Sequence, residues 1–154
     1  MEDIKYKKDK FNFVYRSSAI IYNKDKNKIL LFYGNESDFY MLPGGKVKEM
    51  ETSINAIQRE VKEELNYENL SFEFVGVSEE IISNKNEDIH EITLTYKCIY
   101  DEEIPELPFK SLESDWINFK WVNINELKNY KIHPSNIIEM ILNKKCHLIE
   151  KVNI

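Results

Sequence analysis

Cysteine is scarce: Cys98 and Cys146 are the only two, and nothing about their spacing suggests a metal knuckle. Two thiols cannot build a disulfide framework, so a reducing, cytoplasmic setting is expected. No apolar run approaches the ~20 residues that a membrane-spanning helix needs. The opening "MEDIKYKKDK" has no apolar segment of the signal-peptide kind. Positive charge is not in excess either. Lys and Arg number 21 against 27 Asp and Glu, a net charge of -6. Duplex nucleic acid and anionic membranes, which select basic faces, are thereby disfavoured as partners. Glycine and proline occur four times each, and "PGG" at 43–45 gathers three of those eight residues in one turn. There is no internal repeat, low-complexity linker or break in composition. A single domain over residues 1–154 is expected, with the charged residues 1–10 fraying.

Hydrophobic residues make up 42% of the chain, enough for a real core. "FVYRSSAIIYN" and "KILLFYG", separated by the polar "NKDKN", read as a hairpin of β-branched and aromatic strands. "LSFEFVGVSEEII" and "HEITLTYKCIY" alternate apolar and polar side chains and read as two further strands. "INFKWVNI" reads as another. An acidic loop, "DEEIPELPFKSLESD", precedes it. Helices are expected over 53–65, in "NINELKNY", and in "SNIIEMILNKK" with Ser135 as its cap. Strands outnumber helices in a mixed order. The fold class expected is α/β (α+β), a sandwich around a mixed sheet.

The segment "GGKVKEMETSINAIQREVKEELNY" poses the central question. On a helix, Ile54, Ile57, Val61 and Leu65 share one arc of roughly 80°, a core-facing stripe. Glu60, Glu63 and Glu64 share a neighbouring arc of roughly 100°. Like charges at this spacing repel, and more strongly beside a buried face where screening is poor. A divalent cation would make the cluster tolerable, and hard carboxylate oxygens suit Mg²⁺ or Mn²⁺.

The spacing Gly45, Glu51, Arg59-Glu60, Val61, Glu63-Glu64, Tyr67 resembles the Nudix box, G-x5-E-x7-R-E-U-x-E-E-x-G-U. The preceding "MLPGG" and the later "FKWVNINELKNYKIHP" are similar to the family as well. One position departs: Asn66 stands at the box glycine, where a left-handed residue ends the helix and Asn is the next best choice. The resemblance implies an α/β/α Nudix sandwich and a Mg²⁺- or Mn²⁺-dependent pyrophosphohydrolase. It would cleave a diphosphate linkage in a nucleotide or nucleoside diphosphate derivative. By position it implies Glu60 and Glu64 as metal ligands, Glu63 as a third ligand or base, and the Gly45 carbonyl as a backbone ligand. It pairs Glu51 with Arg59 to orient Glu60.

The resemblance leaves the downstream catalytic acid open. The best register puts Trp116 at the position of the family's further glutamate, so Glu113 or Asp115 would serve after a loop shift, or else Glu80 or Glu91. Arg16 is a candidate phosphate contact, and Tyr40 or Phe39 a candidate base-stacking residue. His90 and His133 have no partner at ligand spacing and read as structural. A small nucleotide is the expected partner, and a homodimer is compatible with this reading. The alternatives are a catalytically silent Nudix-fold domain that senses nucleotides, and an interaction module with an acidic surface helix. Retention of every box acid favours the enzyme.

Overall fold

A computed structural model describes residues 1–154. One mixed sheet organises the chain. Its strands are β1 (Lys5–Lys8), β2 (Phe11–Asn23), β3 (Lys28–Gly34), β4 (Gly44–Lys46), β5 (Glu73–Ser83), β6 (Asp88–Tyr100), β7 (Phe109–Lys110), β8 (Ile117–Asn123) and β9 (His147–Asn153). The order across the sheet is β7-β8-β3-β2-β6-β5-β9, with β1 and β4 both paired to β2. β2 runs parallel to β6 and β5 parallel to β9; the other pairs are antiparallel. Two helices, α1 (Ser53–Leu65) and α2 (Ile137–Asn143), complete the fold with a 3₁₀ turn at Ile124–Asn129.

Alternation along the central strands divides the core into two layers. Ala19, Ile21 and Leu30 pack with Ile57, Val61 and Leu65 of α1. Ile20, Ile29 and Leu31 face the other way, onto Ile137, Met140 and Ile141 of α2. The sheet is thus covered by a helix on each face, as the periodicities predict.

Four expectations need correcting. β2 and β3 follow one another as expected, but their ladder is a single register pair, Tyr22↔Ile29, because β1 and β4 occupy β2 over Phe11–Val14 and Arg16–Ser18 on the edge away from β6. The residues expected to fray hold β1, which pairs with β2 through Lys5↔Val14 to Lys8↔Phe11. α2 begins after Asn136 without a side-chain cap, since the Ser135 hydroxyl is engaged by Glu150 Oε1 instead. The sequence reading also omits β9, which Lys144 makes reachable by ending α2 in a left-handed conformation at φ 55°.

Candidate active site

α1 starts and stops where its sequence dictates. The Thr52 side chain accepts a hydrogen bond from the Asn55 N–H at 3.3 Å, capping the first turn. Asn66 ends the helix at φ 56° and ψ 32°, the left-handed geometry expected at that position. β4 enters just before it, along β2, in a space that only glycine fits. A Cβ on Gly44 would lie 2.2 Å from the Ser17 carbonyl oxygen, and one on Gly45 would lie 2.3 Å from Glu60 Cδ. The backbone of Gly45 therefore forms the wall against which the Glu60 carboxylate rests.

Arg59 ties this assembly together. Its Nε and Nη2 donate to the two oxygens of Glu51 at 2.7 and 3.0 Å, a bidentate pair. Nη2 also donates to the Lys46 carbonyl at 3.1 Å, and Nη1 donates to Glu60 Oε1 at 2.7 Å and Glu63 Oε2 at 3.1 Å. The Lys48 N–H completes the Glu51 acceptor set at 2.9 Å. Hydrogen bonding from Arg59 holds the Glu51 carboxyl below its usual range, and the pairing with Glu51 raises the Arg59 guanidinium in return. The helical wheel leaves Arg59 outside the acidic arc, but its long side chain reaches across to three carboxylates.

Glu60, Glu64 and Glu113 converge, each offering a carboxylate oxygen within 4.8 Å of the others. The loop that delivers Glu113 is moored to the helix: the Leu112 N–H donates to the Glu64 carbonyl at 2.9 Å. That carbonyl is one of the groups that a helix end leaves without an internal partner. The Glu113 N–H donates to Ser111 Oγ at 3.2 Å and closes the turn. Burial raises the Glu60 carboxyl. Burial, with Glu60 and Glu113 close by, pushes Glu64 up to about 7. Three acids held this close, one with its proton affinity displaced that far, form a site whose negative charge Arg59 and Arg16 only partly offset.

The three acids line a cleft of about 720 Å³, with Arg16, Gly45, Lys46, Phe39 and Trp116 among its other walls. Arg16 is partly buried there and forms no ion pair, while its charge draws the Glu64 carboxyl down against burial. Tyr40 is not in the cleft. It packs edge-on against Tyr130 at 5.0 Å and joins the α2-side core, whereas Phe39, the other aromatic considered, does line the cleft. Glu63 is turned to Arg59 and stands apart from the converging three. Trp116 forms part of the wall instead of supplying an acid, and Asp115 offers its backbone carbonyl to Lys110 Nζ at 2.6 Å. Glu80 and Glu91 lie along a different part of the sheet, opposite one another on β5 and β6. Lys46 and Asp3 were not singled out by sequence; Lys46 directly follows the PGG turn, which was the available signal. A second depression, about 780 Å³ and bordered by Tyr22, Leu70 and Tyr100, contains none of the box acids.

The family model described as "NUDIX domain" matches residues 14–141. The m7GpppN-mRNA hydrolase of Saccharomyces cerevisiae is 44% identical over 50 residues, which is 32% of this chain and 5% of that protein's length. The chain therefore spans a small fraction of that curated relative. Among solved structures, the mutator MutT protein of Bacillus halodurans superposes with a TM-score of 0.67 at 17% identity, over 88% of this chain and 85% of that one. The E. coli dihydroneopterin triphosphate pyrophosphohydrolase superposes with a TM-score of 0.65 at 18% identity, over 85% and 96%. At these identities the structures show a shared fold. No helix is long and apolar enough to cross a membrane.

Proposed function

We propose that this chain, which belongs to the Nudix family and is a hydrolase of pyrophosphate linkages, acts on a nucleotide or nucleoside diphosphate derivative and depends on Mg²⁺ or Mn²⁺. The convergence of Glu60, Glu64 and Glu113 at one end of the cleft carries the reading. The donor set fits the ion: three hard carboxylates, two of them raised in pKa, form an all-oxygen site that suits these cations. Glu60, Glu64 and Glu113 would hold it, with the Gly45 carbonyl as a backbone ligand. When bound, the ion would neutralise diphosphate charge and lower the pKa of a water molecule.

The protein's own contribution is placement. Arg59 and Glu51 clamp the β4 turn to α1 and fix the Glu60 carboxylate. Glu63 shares that clamp in preference to the ligand or base role implied by resemblance alone. Arg16, uncommitted to any carboxylate, binds a phosphate oxygen. Glu113 is exposed at the cleft mouth and accepts the proton of the water that attacks phosphorus. Phe39 and Trp116 supply flat surfaces for a base, a role for which Tyr40, half-buried against Tyr130 and outside the cleft, is not placed.

The test is a panel of nucleoside diphosphate derivatives and nucleoside triphosphates, assayed with Mg²⁺, Mn²⁺ or excess EDTA, and run in ¹⁸O-water. Cation-dependent cleavage with label on a single phosphate product is expected. Full turnover in EDTA, or hydrolysis of p-nitrophenyl phosphate with no diphosphate cleavage, would overturn the assignment. A silent nucleotide sensor would bind members of the panel and turn over none.

A further inference from the structure

A second group of acids lies outside the box, and the sheet register creates it. Glu91 on β6 pairs with Glu80 on β5, and Glu80 pairs with Glu150 on β9. Three carboxylates thus stand side by side on neighbouring strands, an arrangement that is destabilising when the charges are unbalanced. Glu80 is 3% exposed, and its Oε2 is buried with no hydrogen-bond partner. His133 Nε2 lies 2.8 Å from that oxygen, and the pairing with Glu80 raises the imidazole, so a protonated His133 is the counter-charge that a bound cation would replace. The oxygen itself has no aligned hydrogen-bond donor, a costly condition for a buried carboxylate that a metal ion would relieve.

We propose that Glu80, His133 and Glu150 form a second divalent-cation site, distinct from the α1 cluster and suited to a borderline transition ion such as Zn²⁺, Co²⁺ or Mn²⁺. One ligand atom from each of the three lies within 4.8 Å of the others. An imidazole beside two carboxylates favours such ions over Mg²⁺, which prefers oxygen alone. Glu80 and His133 also border a space of about 20 Å³, room for one water-sized occupant, whose other walls include Glu91 and Arg16. The supporting shell is present too: the Ser135 hydroxyl engages Glu150 Oε1 and fixes its orientation. The ion would fasten β9 and the segment entering α2 to the sheet. It would also hold His133, against which Phe39 of the substrate cleft packs edge-on at 5.8 Å.

The experiment removes the α1 cluster first, so that its outcome does not depend on the hydrolase reading. In a Glu60→Gln/Glu64→Gln background, equilibrium dialysis against Zn²⁺ and Co²⁺ should retain one equivalent per chain, with a visible Co²⁺ absorption band. Melting temperature should rise by about 5 °C or more at a hundredfold excess over Kd. Adding Glu150→Gln or His133→Gln should weaken binding by roughly tenfold or more and remove the rise. Glu150→Gln tests the site without disturbing the buried Glu80, and its melting temperature in EDTA reports whether the fold survives. Absence of the equivalent in the background variant would overturn the site, as would retention that Glu150→Gln and His133→Gln both leave unchanged. Protonated His133 would then be the counter-charge for the row.

Discussion

Glu64→Gln should have opposite effects on stability and turnover. Burial and the neighbouring Glu60 and Glu113 hold the Glu64 carboxyl at about 7, against 4.5 for a free glutamate. The folded-state pKa lies above the unfolded one, so the fold binds more protons between these values and loses stability as pH rises from 4.5 to 7. Below that window the penalty is absent; above it, the penalty is complete. At pH 8 the full displacement is equivalent to about 3 kcal/mol, and partial exposure of the side chain reduces it to on the order of 1–2 kcal/mol. Glutamine keeps the shape and removes the charge. The metal-free variant should therefore melt about 3–6 °C higher than wild type at pH 8, with the difference gone by pH 4. Turnover should fall by roughly a hundredfold or more, as when one electrostatic stabiliser is deleted from an active site. Mg²⁺ should raise the wild-type melting temperature, with a gain of ~2.7 kcal/mol at a hundredfold excess over Kd, and raise that of the variant less. Calorimetry of both proteins at pH 4 and pH 8, with EDTA and with Mg²⁺, beside a turnover assay, measures each quantity. A variant that is less stable than wild type in EDTA at pH 8, or one that retains wild-type turnover, would refute the reasoning.

Gly45→Ala should fold and lose most activity, because its Cβ meets the movable end of Glu60. Gly44→Ala should cost several times more stability, because its Cβ meets the Ser17 backbone; melting curves and turnover of the two separate these effects. Asn66→Gly should keep activity and change stability by less than ~1 kcal/mol, since the left-handed cap already exists; urea denaturation checks this. Arg59→Lys keeps the charge but cannot make the bidentate Glu51 pair together with the Lys46 and Glu60 contacts. Its loss should appear mainly in kcat, with stability lowered by about 1–3 kcal/mol; steady-state kinetics and denaturation measure the two.

The extent of α1 was legible because what sets it is local. The apolar stripe and the left-handed Asn66 stop lie within one segment, so periodicity and end chemistry suffice, while the Thr52 cap emerges from the structure. The convergence of Glu113 with Glu60 and Glu64 was only partly legible: the acidic loop offered several carboxylates, and a backbone contact from Leu112 decides which of them arrives. Tyr40 and Phe39 are adjacent, so composition could not divide them between core and cleft; the pairing of Tyr40 with Ile132 does. His133 read as unpartnered because its neighbour Glu80 is close only through the β5 register and the path of the chain into α2. β9 was missed for a related reason. Its short polar-apolar alternation follows a lysine pair that reads as a helix terminus, and only the exposed edge of β5 gives it something to pair with.

The mooring of Leu112 to the end of α1 affects how this chain can vary. Glu113 is positioned by contacts within 111–117 and by one bond to the helix, through Leu112 to Glu64, Ser111 to Ile117 and Glu113 to Ser111. The acidic stretch between Tyr100 and Phe109 contributes none of these bonds. Apart from Ile104, which packs against the α1-side core, its length and composition can therefore drift, by insertion, deletion or exchange of its prolines, without moving the carboxylate that completes the site. A loop of this kind separates what must stay fixed for chemistry from what is free to change beside it.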